Sequence, residues 1–407
     1  MPAKSVEQGS SSSMRTQTSR IIAIIGLVFQ FSPLFASPSQ QQLAKDFETF
    51  FLQRIAEEKV IGASFVIVSG QNIVHVGTTG HTDTSLQKPI DENTAFRVAS
   101  VSKTFAAGLA GVLVSEGQFQ WDDPVTRYVQ DFRIKGDSNQ VRIRHLLGQS
   151  TGLVPHAYDN YIEEGMPQDQ IRRKFRQLSY ICSPGHCYSY QNSVFSMIEP
   201  VIENSTAQSY ASLMQDKIFR PLDMKTASVG YEPFINNANH AKPHVKGRNG
   251  NWRTVKVLPN YYEVSSAAGV NASALDMGKW LMAQMGSHPE VIGPEVVQDL
   301  IRPRVKTKRE IYRRYWKDVL TDAHYGLGWR VYQLGAHRIA YHSGWVSGFR
   351  ADIAWSPEEQ IGIAVLLNSE SNSISDLTTT FWEMAFSRQL VKDGIKPPAV
   401  PIAATGQ

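Results

Sequence analysis

A serine and a lysine three positions apart are the strongest candidates for chemistry in this sequence. Ser100 and Lys103 open the run SVSKTFAAGLAGVLVSEGQ, in which apolar residues recur at helical spacing up to a stop at Gly117. In the first turn of a helix, the i, i+3 spacing puts both side chains on one face, about 5 to 6 Å apart at Cβ. Burial at a positive helix end disfavours an ammonium ion, so Lys103 could accept the proton of a Ser100 nucleophile. Ser-X-X-Lys also occurs by chance, and Ser100 could be a helix N-cap.

Two further motifs follow in chain order. Tyr190-Gln191-Asn192 comes directly after a Pro-Gly turn, and His342-Ser343-Gly344 comes at the end of the predicted strand HRIAY. In this order and at these separations, the three motifs resemble those of the penicillin-recognising serine hydrolases. Within that group the chain resembles the class C β-lactamase branch, which also includes D-Ala-D-Ala carboxypeptidases, D-aminopeptidases and esterases. The resemblance runs from roughly Phe47 to Met384 and includes weaker phrases such as IRHLLGQSTGL, IFRPLDM, AAGVNASALDMGKWL and YGLGW.

The resemblance implies the catalytic roles. Ser100 attacks a carbonyl to form an acyl-enzyme, and Lys103 and Tyr190 share the proton transfers. Tyr190 is expected to lie close enough to the ammonium to favour its phenolate, and such a coupled pair has no pKa that belongs to one residue. The implied substrate is a β-lactam or a D-amino-acid peptide amide, such as a peptidoglycan stem peptide.

The resemblance also implies the residues that bind the substrate. Asn192 is expected to hydrogen-bond the substrate amide side chain. The backbone N–H groups of Ser100 and Trp345 would form the oxyanion hole, in which one donor is typically worth about 2.7 to 4 kcal/mol. Ser343 and Gly344 would keep this edge strand narrow enough for a substrate to pair against it.

His342 departs from the class C pattern, in which lysine is usual at this position. A lysine is a permanent cation, whereas imidazole has a reference pKa of about 6.5 and is mostly neutral at pH 7. If His342 binds a substrate carboxylate, turnover should fall above about pH 7.

Two alternative functions stay open: a carboxyl esterase of the same fold, and a non-catalytic cell-wall-binding relative. The second should have lost Ser100, Lys103 or Tyr190, and all three are present.

A second serine motif is expected to have no catalytic role. Gly148-Gln149-Ser150-Thr151-Gly152 matches the nucleophile-elbow pattern G-x-S-x-G, but an elbow needs a strand before it, and RIRHLL has the pattern of a helix end. Tyr261 and Tyr262 lie in a loop-like stretch and could line the cleft, although tyrosines in such clusters usually serve packing.

Elements from both chain ends must position these residues. ASFVIV and NIVHVG predict a hairpin around Gly70-Gln71-Asn72, and GLGWRVYQL, HRIAY, RADIAW and IGIAVLL predict four strands before a closing helix from about Ile374 to Lys392. The predicted fold is α/β (α+β) and β-lactamase/transpeptidase-like. It has an antiparallel sheet built from both chain ends, flanked by helices, with an inserted, mostly helical region. One domain is expected over 37–395, with a sheet lobe at about 40–100 and 285–392, a helical lobe at about 101–284, and a Pro-rich tail over 396–407.

The first 36 residues predict an exported protein. After a Ser-rich start, the nine apolar residues IIAIIGLVF follow Arg20 and end before Pro33 and Ala36, which is typical of a signal peptide cleaved after Ala36. The signal could begin at Met14. An uncleaved anchor is the alternative, and it is the one route to a membrane. The predicted location is periplasmic or secreted.

Cys182 and Cys187 are the two cysteines of the sequence. In an oxidising compartment they could close a small disulfide loop around Pro184-Gly185. Free thiols, or a metal site with His186, are the other interpretations, but three ligands within six residues suit tetrahedral zinc poorly. No metal and no cofactor are expected.

Composition and charge exclude other classes. With 42% hydrophobic and 19% charged residues, the chain has the profile of a globular protein, neither disordered nor a membrane transporter. The net charge is +4, and the run from Arg302 to Lys317 holds eight basic residues and one acidic residue, Glu310. A short basic run is more often a solvated loop or helix face than a nucleic-acid site, so no nucleic-acid partner is expected.

Overall fold

An antiparallel sheet of eight strands joins the two ends of the chain. The computed structural model describes residues 37–85 and 88–392, so the predicted signal segment and the predicted tail lie outside the described residues. The eight strands run in the order β2-β1-β13-β12-β11-β10-β9-β8. The strands are β1 (Gly62–Ser69), β2 (Asn72–Gly80), β3 (Phe96–Arg97), β4 (Ser228–Val229), β5 (His244–Lys246), β6 (Trp252–Thr254), β7 (Val270–Ala272), β8 (Val305–Lys306), β9 (Asp322–Tyr325), β10 (Arg330–Leu334), β11 (His337–Val346), β12 (Phe349–Ser356) and β13 (Ile361–Leu367).

Helices cover both faces of this sheet. They are α1 (Pro38–Glu57), α2 (Ser102–Ser115), α3 (Ile143–Leu147), α4 (Asp159–Glu163), α5 (Gln168–Lys174), α6 (Ile198–Thr206), α7 (Tyr210–Met214), α8 (Tyr231–Ile235), α9 (Ser265–Ala268), α10 (Ala274–Gln284), α11 (Pro294–Leu300) and α12 (Ser373–Lys392). Successive strand residues point to opposite faces. Phe65 therefore packs with α1 and α12, while Val66 packs with α10. Within the described residues, no helix is both long and apolar enough to cross a membrane.

The predicted fold class is confirmed, since a large antiparallel sheet from both chain ends is flanked by helices. The hairpin β1–β2, the strands β10 to β13 and the closing helix α12 all lie where the sequence patterns predict them. The middle region is less helical than expected, because it also holds two small sheets, β3-β7-β4 and β5-β6.

Helix α10 packs closely on the sheet. Gly278 of α10 lies so close to Val66 of β1 that a Cβ on it would come within 2.9 Å of that side chain. The predicted bounds of the two lobes stay a prediction.

The basic run 302–317 is not simply a solvated face. Trp316 is buried with 1% exposure, and Val305 and Lys306 form β8 at the sheet edge. Glu310 and Arg313 are partly buried and pair with each other at 3.0 Å. The expectation of a solvated segment is therefore wrong for this part of the run.

The strand β11 is longer than predicted and extends beyond its neighbour. Its pairing with β10 stops at Tyr341, opposite Arg330, whereas its pairing with β12 continues to Val346. The His-Ser-Gly motif thus lies inside β11 rather than after a short strand. Residues 342–346 are paired with β12 on one side and extend past the end of β10 on the other. The predicted strand edge is therefore limited to this part of β11, since the rest of β11 is paired on both sides.

A buried carboxyl group links this sheet to α12. Asp352 of β12 has 1% exposure, and its Oδ2 accepts hydrogen bonds from Thr378 Oγ1 at 2.8 Å and from the Tyr341 hydroxyl at 3.2 Å. Burial raises the pKa of Asp352 to about 7.

This raised pKa predicts that stability falls as pH rises. The folded chain binds the Asp352 proton more tightly than the unfolded chain, so the free energy of unfolding decreases from about pH 4 and levels off above pH 7. The expected loss from this group is on the order of 4 kcal/mol. Urea unfolding of wild type and Asp352→Asn between pH 4 and 8 measures it, and the variant should have a clearly shallower decline.

Glu199 contributes in the same direction, since burial raises its pKa to about 8, so the variant keeps part of the slope. Equal slopes in wild type and Asp352→Asn would contradict the assignment.

Candidate active site

Ser100 lies at the junction between the helical region and the sheet. It sits in the 3₁₀ turn Ala99–Val101, which leads directly into α2, and Ala99 there has a positive φ of 50°. Strand β11 passes close by. A Cβ on Gly344 would come within 2.2 Å of the Val98 carbonyl oxygen and 3.2 Å of the Ser100 amide nitrogen. Glycine at 344 is therefore what allows the strand to approach the Ser100 turn.

Lys103 is fully buried one helical turn beyond Ser100. Its Nζ lies 2.8 Å from Asn192 Oδ1, 3.0 Å from the Ala267 carbonyl oxygen and 3.4 Å from Ser100 Oγ. Burial lowers the pKa of Lys103 well below its ordinary value. The Asp159 carboxylate opposes this shift, and the charge of Arg330 adds to it. A neutral amine beside the serine hydroxyl can accept its proton.

Tyr190 completes this cluster. Its hydroxyl is within hydrogen-bonding reach of Ser100, and the Lys103 Nζ lies 4.8 Å from the centre of its ring. Burial raises the pKa of Tyr190 above its ordinary value, even though Ser100 and Arg330 act in the opposite direction. This direction favours the neutral phenol over the expected phenolate, because burial disfavours the anion more than Arg330 and the Ser100 hydrogen bond stabilise it.

Asn192 connects the lysine to a carboxylate. Its Oδ1 accepts from Lys103, and its Nδ2 donates to Asp159 Oδ2 at 3.0 Å. The same Asp159 oxygen lies 2.9 Å from His156 Nδ1, and this hydrogen bond raises the pKa of His156. The predicted contact of Asn192 with a substrate amide stays a prediction, since both ends of its amide already have partners.

The loop after α3 holds the Tyr190 segment in place. Gln149 Nε2 donates to the Gln191 carbonyl at 3.0 Å, its Oε1 accepts from the Gln191 N–H at 2.8 Å, and the Thr151 hydroxyl donates to Gln191 Oε1 at 3.1 Å. Ser150 is buried, and helix α3 precedes it where an elbow would need a strand. The G-x-S-x-G match is therefore a scaffold for the Tyr-X-Asn loop.

A disulfide stabilises the approach to the same loop. The structure joins Cys182 and Cys187, and the Gly185 N–H between them donates to the Ser150 carbonyl at 2.7 Å. Neither cysteine is free to bind a metal with His186. Within the described part of the chain, no cluster of three or more histidine, cysteine or acidic side chains could hold a metal ion.

His342 is buried with both ring nitrogens engaged. Its Nδ1 lies 2.9 Å from the Ser343 carbonyl oxygen, which can only accept, so Nδ1 carries the proton. Nε2 therefore accepts from the Tyr325 hydroxyl, 3.0 Å away. Burial, with Arg330 and Lys103 adding to it, lowers the pKa of His342 well below its ordinary value. The ring is neutral at pH 7, so the expected loss of turnover above pH 7 is no longer predicted from this residue.

The other residues of the strand motif have different surroundings. The Ser343 side chain hydrogen-bonds Tyr341, which belongs to the α1 and α12 side of the sheet. The Trp345 ring is 60% exposed and lies over the Arg350 guanidinium at 4.4 Å. The backbone of this stretch, rather than the Ser343 hydroxyl, faces the site through Gly344.

Arg330 is a site residue that the sequence motifs do not reveal. It lies at the start of β10, and its guanidinium pairs with Glu310 at 2.7 Å. Its charge acts on Lys103, Tyr190 and His342, in each case disfavouring protonation. The sequence places Arg330 in the strand-like run GLGWRVYQL, which is a weak signal for a position in the sheet. Nothing in that run indicates its pairing with Glu310, twenty residues earlier.

A serine beside a buried amine and a phenol, on a helix start facing an antiparallel sheet, is typical of a serine hydrolase of the β-lactamase fold. The comparison with protein families agrees with this class. Residues 47–380 match the family described as Beta-lactamase, and the chain belongs to that family.

Relatives of the chain are distant but cover most of it. It is 23% identical over 365 residues to a protein named Beta-lactamase from Escherichia coli (strain K12), which covers 82% of this chain and 90% of the relative. It is 24% identical over 354 residues to Unguisins hydrolase ungD' from Aspergillus campestris (strain IBT 28561), covering 84% of this chain but 64% of the relative. The chain thus spans less than two thirds of that fungal protein.

A solved structure supports the same fold. The octameric penicillin-binding protein homologue from Pyrococcus abyssi matches with a TM-score of 0.74 and 22% sequence identity, over 87% of this chain and 78% of that one. At this identity the likeness shows the fold, and the predicted resemblance to the β-lactamase group is confirmed.

The Asp159 carboxylate gives a test of the lysine's environment. Asp159→Asn removes the negative charge that favours the Lys103 ammonium, while the new amide oxygen can still accept from Asn192. The pKa of Lys103 should fall further, so the acid limb of the pH–rate profile should move to lower pH by about one unit. The profile is measured as kcat/KM on the best chromogenic substrate.

Asp169→Asn is the matched control, because this carboxylate is 51% exposed on α5 and pairs with Arg173. An acid limb that stays in place, or moves to higher pH, in Asp159→Asn would contradict the electrostatic role.

Proposed function

We propose that this protein is an exported serine hydrolase that forms an acyl-enzyme on Ser100. The carrying observation is the buried Lys103, whose Nζ lies 3.4 Å from Ser100 Oγ and whose pKa is lowered well below its ordinary value by burial. The substrate that fits this site best is a β-lactam or a D-amino-acid peptide amide.

Acylation follows from the geometry of the cluster. Ser100 Oγ attacks the carbonyl carbon while its proton passes to the neutral Lys103 amine. The N–H groups of Ser100 and Trp345 stabilise the oxyanion. Tyr190, kept protonated by burial, then gives its proton to the leaving nitrogen or oxygen, and the Lys103 ammonium returns a proton to the tyrosine oxygen. The lysine is neutral again when the acyl-enzyme has formed.

Hydrolysis of the acyl-enzyme reverses these transfers with water in place of the leaving group. The Tyr190 oxygen accepts a proton from the attacking water as its own proton passes to Lys103, and the same two N–H groups stabilise the tetrahedral oxyanion. The Lys103 ammonium then returns a proton to Ser100 Oγ as the ester bond breaks. The bond that breaks is the one between Ser100 Oγ and the acyl carbon, and the free acid is the product.

The open part of β11 supports an extended substrate. Because residues 342–346 extend past β10, their backbone on that side can pair with a peptide or an amide side chain. The names of the Escherichia coli relative, Beta-lactamase, and of the fungal relative, Unguisins hydrolase, agree with hydrolysis as the reaction.

A carboxyl esterase is the second candidate. The observation that favours it is His342, which is buried and neutral where a class C β-lactamase is expected to hold a cation. A non-catalytic cell-wall-binding protein is disfavoured, because Ser100, Lys103 and Tyr190 not only are present but lie together in one cluster.

Ser100 and Ser150 provide a matched pair for testing the nucleophile. Ser100→Ala should reduce hydrolysis by at least about 10³-fold, because the attacking group is lost. Ser150→Ala should keep activity close to wild type, because Ser150 lies in the scaffold loop that follows α3. A chromogenic cephalosporin, an acetylated D-Ala-D-Ala peptide and a short-chain 4-nitrophenyl ester are assayed with each variant.

The same panel identifies the substrate class, since the substrate with the largest Ser100-dependent kcat/KM defines it. Mass spectrometry of wild type with a penicillin should show an adduct on the peptide that contains Ser100. Full activity of Ser100→Ala on every substrate, or an adduct on another serine, would contradict the proposal.

Export is part of the proposal and is tested separately. A signal peptide over 1–36 leads to an oxidising compartment, in which the Cys182–Cys187 disulfide forms. Protein recovered from outside the cytoplasm should begin at Ser37 and show no free thiol on alkylation. A mature chain that keeps Arg20, or that alkylates at both cysteines without reductant, would contradict this part.

A further inference from the structure

Arg97 is a buried cation that has no acidic partner within the described part of the chain. It lies in β3, three residues before Ser100, with 3% exposure. Its Nε and Nη2 are buried and have no hydrogen-bond partner among the described residues. The Tyr262 ring lies 4.2 Å from its Cζ, so one face of the guanidinium packs on an aromatic ring.

Leaving such a group unpaired is costly. A guanidinium stays charged when buried, and a buried charge without a partner costs several kcal/mol. Other arginines with little exposure are paired: Arg330 contacts Glu310 at 2.7 Å, and Arg304 contacts Asp299 at 2.6 Å. Arg97 therefore differs from them in a way that a bound anion would correct.

Arg97 forms part of the wall of a cavity of about 270 Å³. Trp345, whose N–H belongs to the proposed oxyanion hole, lies in the same wall. The two acidic residues of the wall have other partners: Glu163 Oε1 accepts from the Tyr261 hydroxyl at 3.3 Å, and Glu370 Oε1 accepts from the Gly348 N–H at 2.7 Å. The cavity is large enough for a carboxylate-bearing group of a small substrate.

We propose that Arg97 binds a carboxylate of the substrate in this cavity. This inference rests on the proposed function of Ser100, since it places the anion in a cavity whose wall includes Trp345, the residue proposed for the oxyanion hole. The planar guanidinium presents Nε and Nη2 as a pair of donors on one edge, which matches the two oxygens of a carboxylate.

The surroundings of His342 make this assignment more specific. Both nitrogens of His342 are engaged, and the ring is neutral, so the position where the family pattern places a cation cannot supply one. Arg97 supplies a permanent charge on a neighbouring element instead. Selectivity for anionic substrates should therefore not depend on the ionisation of a histidine.

Two matched pairs of substrates test the proposal. The first is 4-nitrophenyl hydrogen glutarate and its methyl ester, which place the charge on the acyl side. The second is N-acetyl-D-Ala-D-Ala and its C-terminal amide, which place it on the leaving side. Wild type should prefer the charged member of at least one pair, and Arg97→Gln should lower kcat/KM for that member by about 10- to 100-fold more than for the neutral one.

Arg97→Lys should keep part of the preference, because it keeps the charge but loses the paired donors. Arg220→Gln, an arginine with 70% side-chain exposure, is the control and should change neither member. Thermal unfolding of each variant shows whether it is folded. If Arg97→Gln does not fold, the wild-type preference and the Arg97→Lys ratio still decide the question.

Failure of this inference is distinguishable from failure of the proposed function. If Arg97→Gln lowers both members of each pair equally, or if wild type shows no preference in either pair, the carboxylate site is contradicted while the Ser100 nucleophile stands. If Ser100→Ala retains hydrolysis, the proposed function fails, whatever Arg97 does.

Discussion

The site depends on the removal of the Lys103 amine from water. The residue is fully buried, yet its Nζ has three polar contacts, with Asn192, Ala267 and Ser100, that come from three separate segments. Burial disfavours the ammonium and the contacts hold the amine in position, so one constraint provides both the protonation state and the geometry of a base. The 3₁₀ turn before α2, the loop around Gln149 and the approach of Gly344 all serve to close this position.

The surroundings of the Lys103 amine are not simply apolar, because they include charged groups with opposite effects on its pKa. Arg330, held by Glu310, adds to the effect of burial, and the charge of Asp159, which accepts a hydrogen bond from Asn192, opposes it. The same Arg330 acts on Tyr190 and His342, so one guanidinium affects three groups of the cluster. Glu310 belongs to the basic run 302–317. What this run contributes to the site is its one acidic residue, which pairs with Arg330.

The sequence was sufficient to predict the fold and the central residues, because these depend on local patterns. Alternation of apolar residues marks β1, β2 and β10 to β13, and the spacing of Ser100 and Lys103 on a helix start is visible directly. What could not be predicted depends on contacts between distant segments: the extension of β11 past β10, the Tyr325–His342 hydrogen bond, the lack of a partner for Arg97 among the described residues, and the surroundings that raise the pKa of Tyr190. No periodicity or motif encodes these contacts, since each depends on which strands and loops meet.

A direct titration of Lys103 tests the central claim. With ¹³C-labelled lysine, the Cε resonance of Lys103 is assigned by its absence in Lys103→Arg and followed from pH 5 to 11 by NMR. The burial of the Lys103 amine predicts a midpoint well below the ordinary lysine value of about 10.4. A Lys103 resonance that keeps its ammonium shift up to about pH 10 would contradict the account.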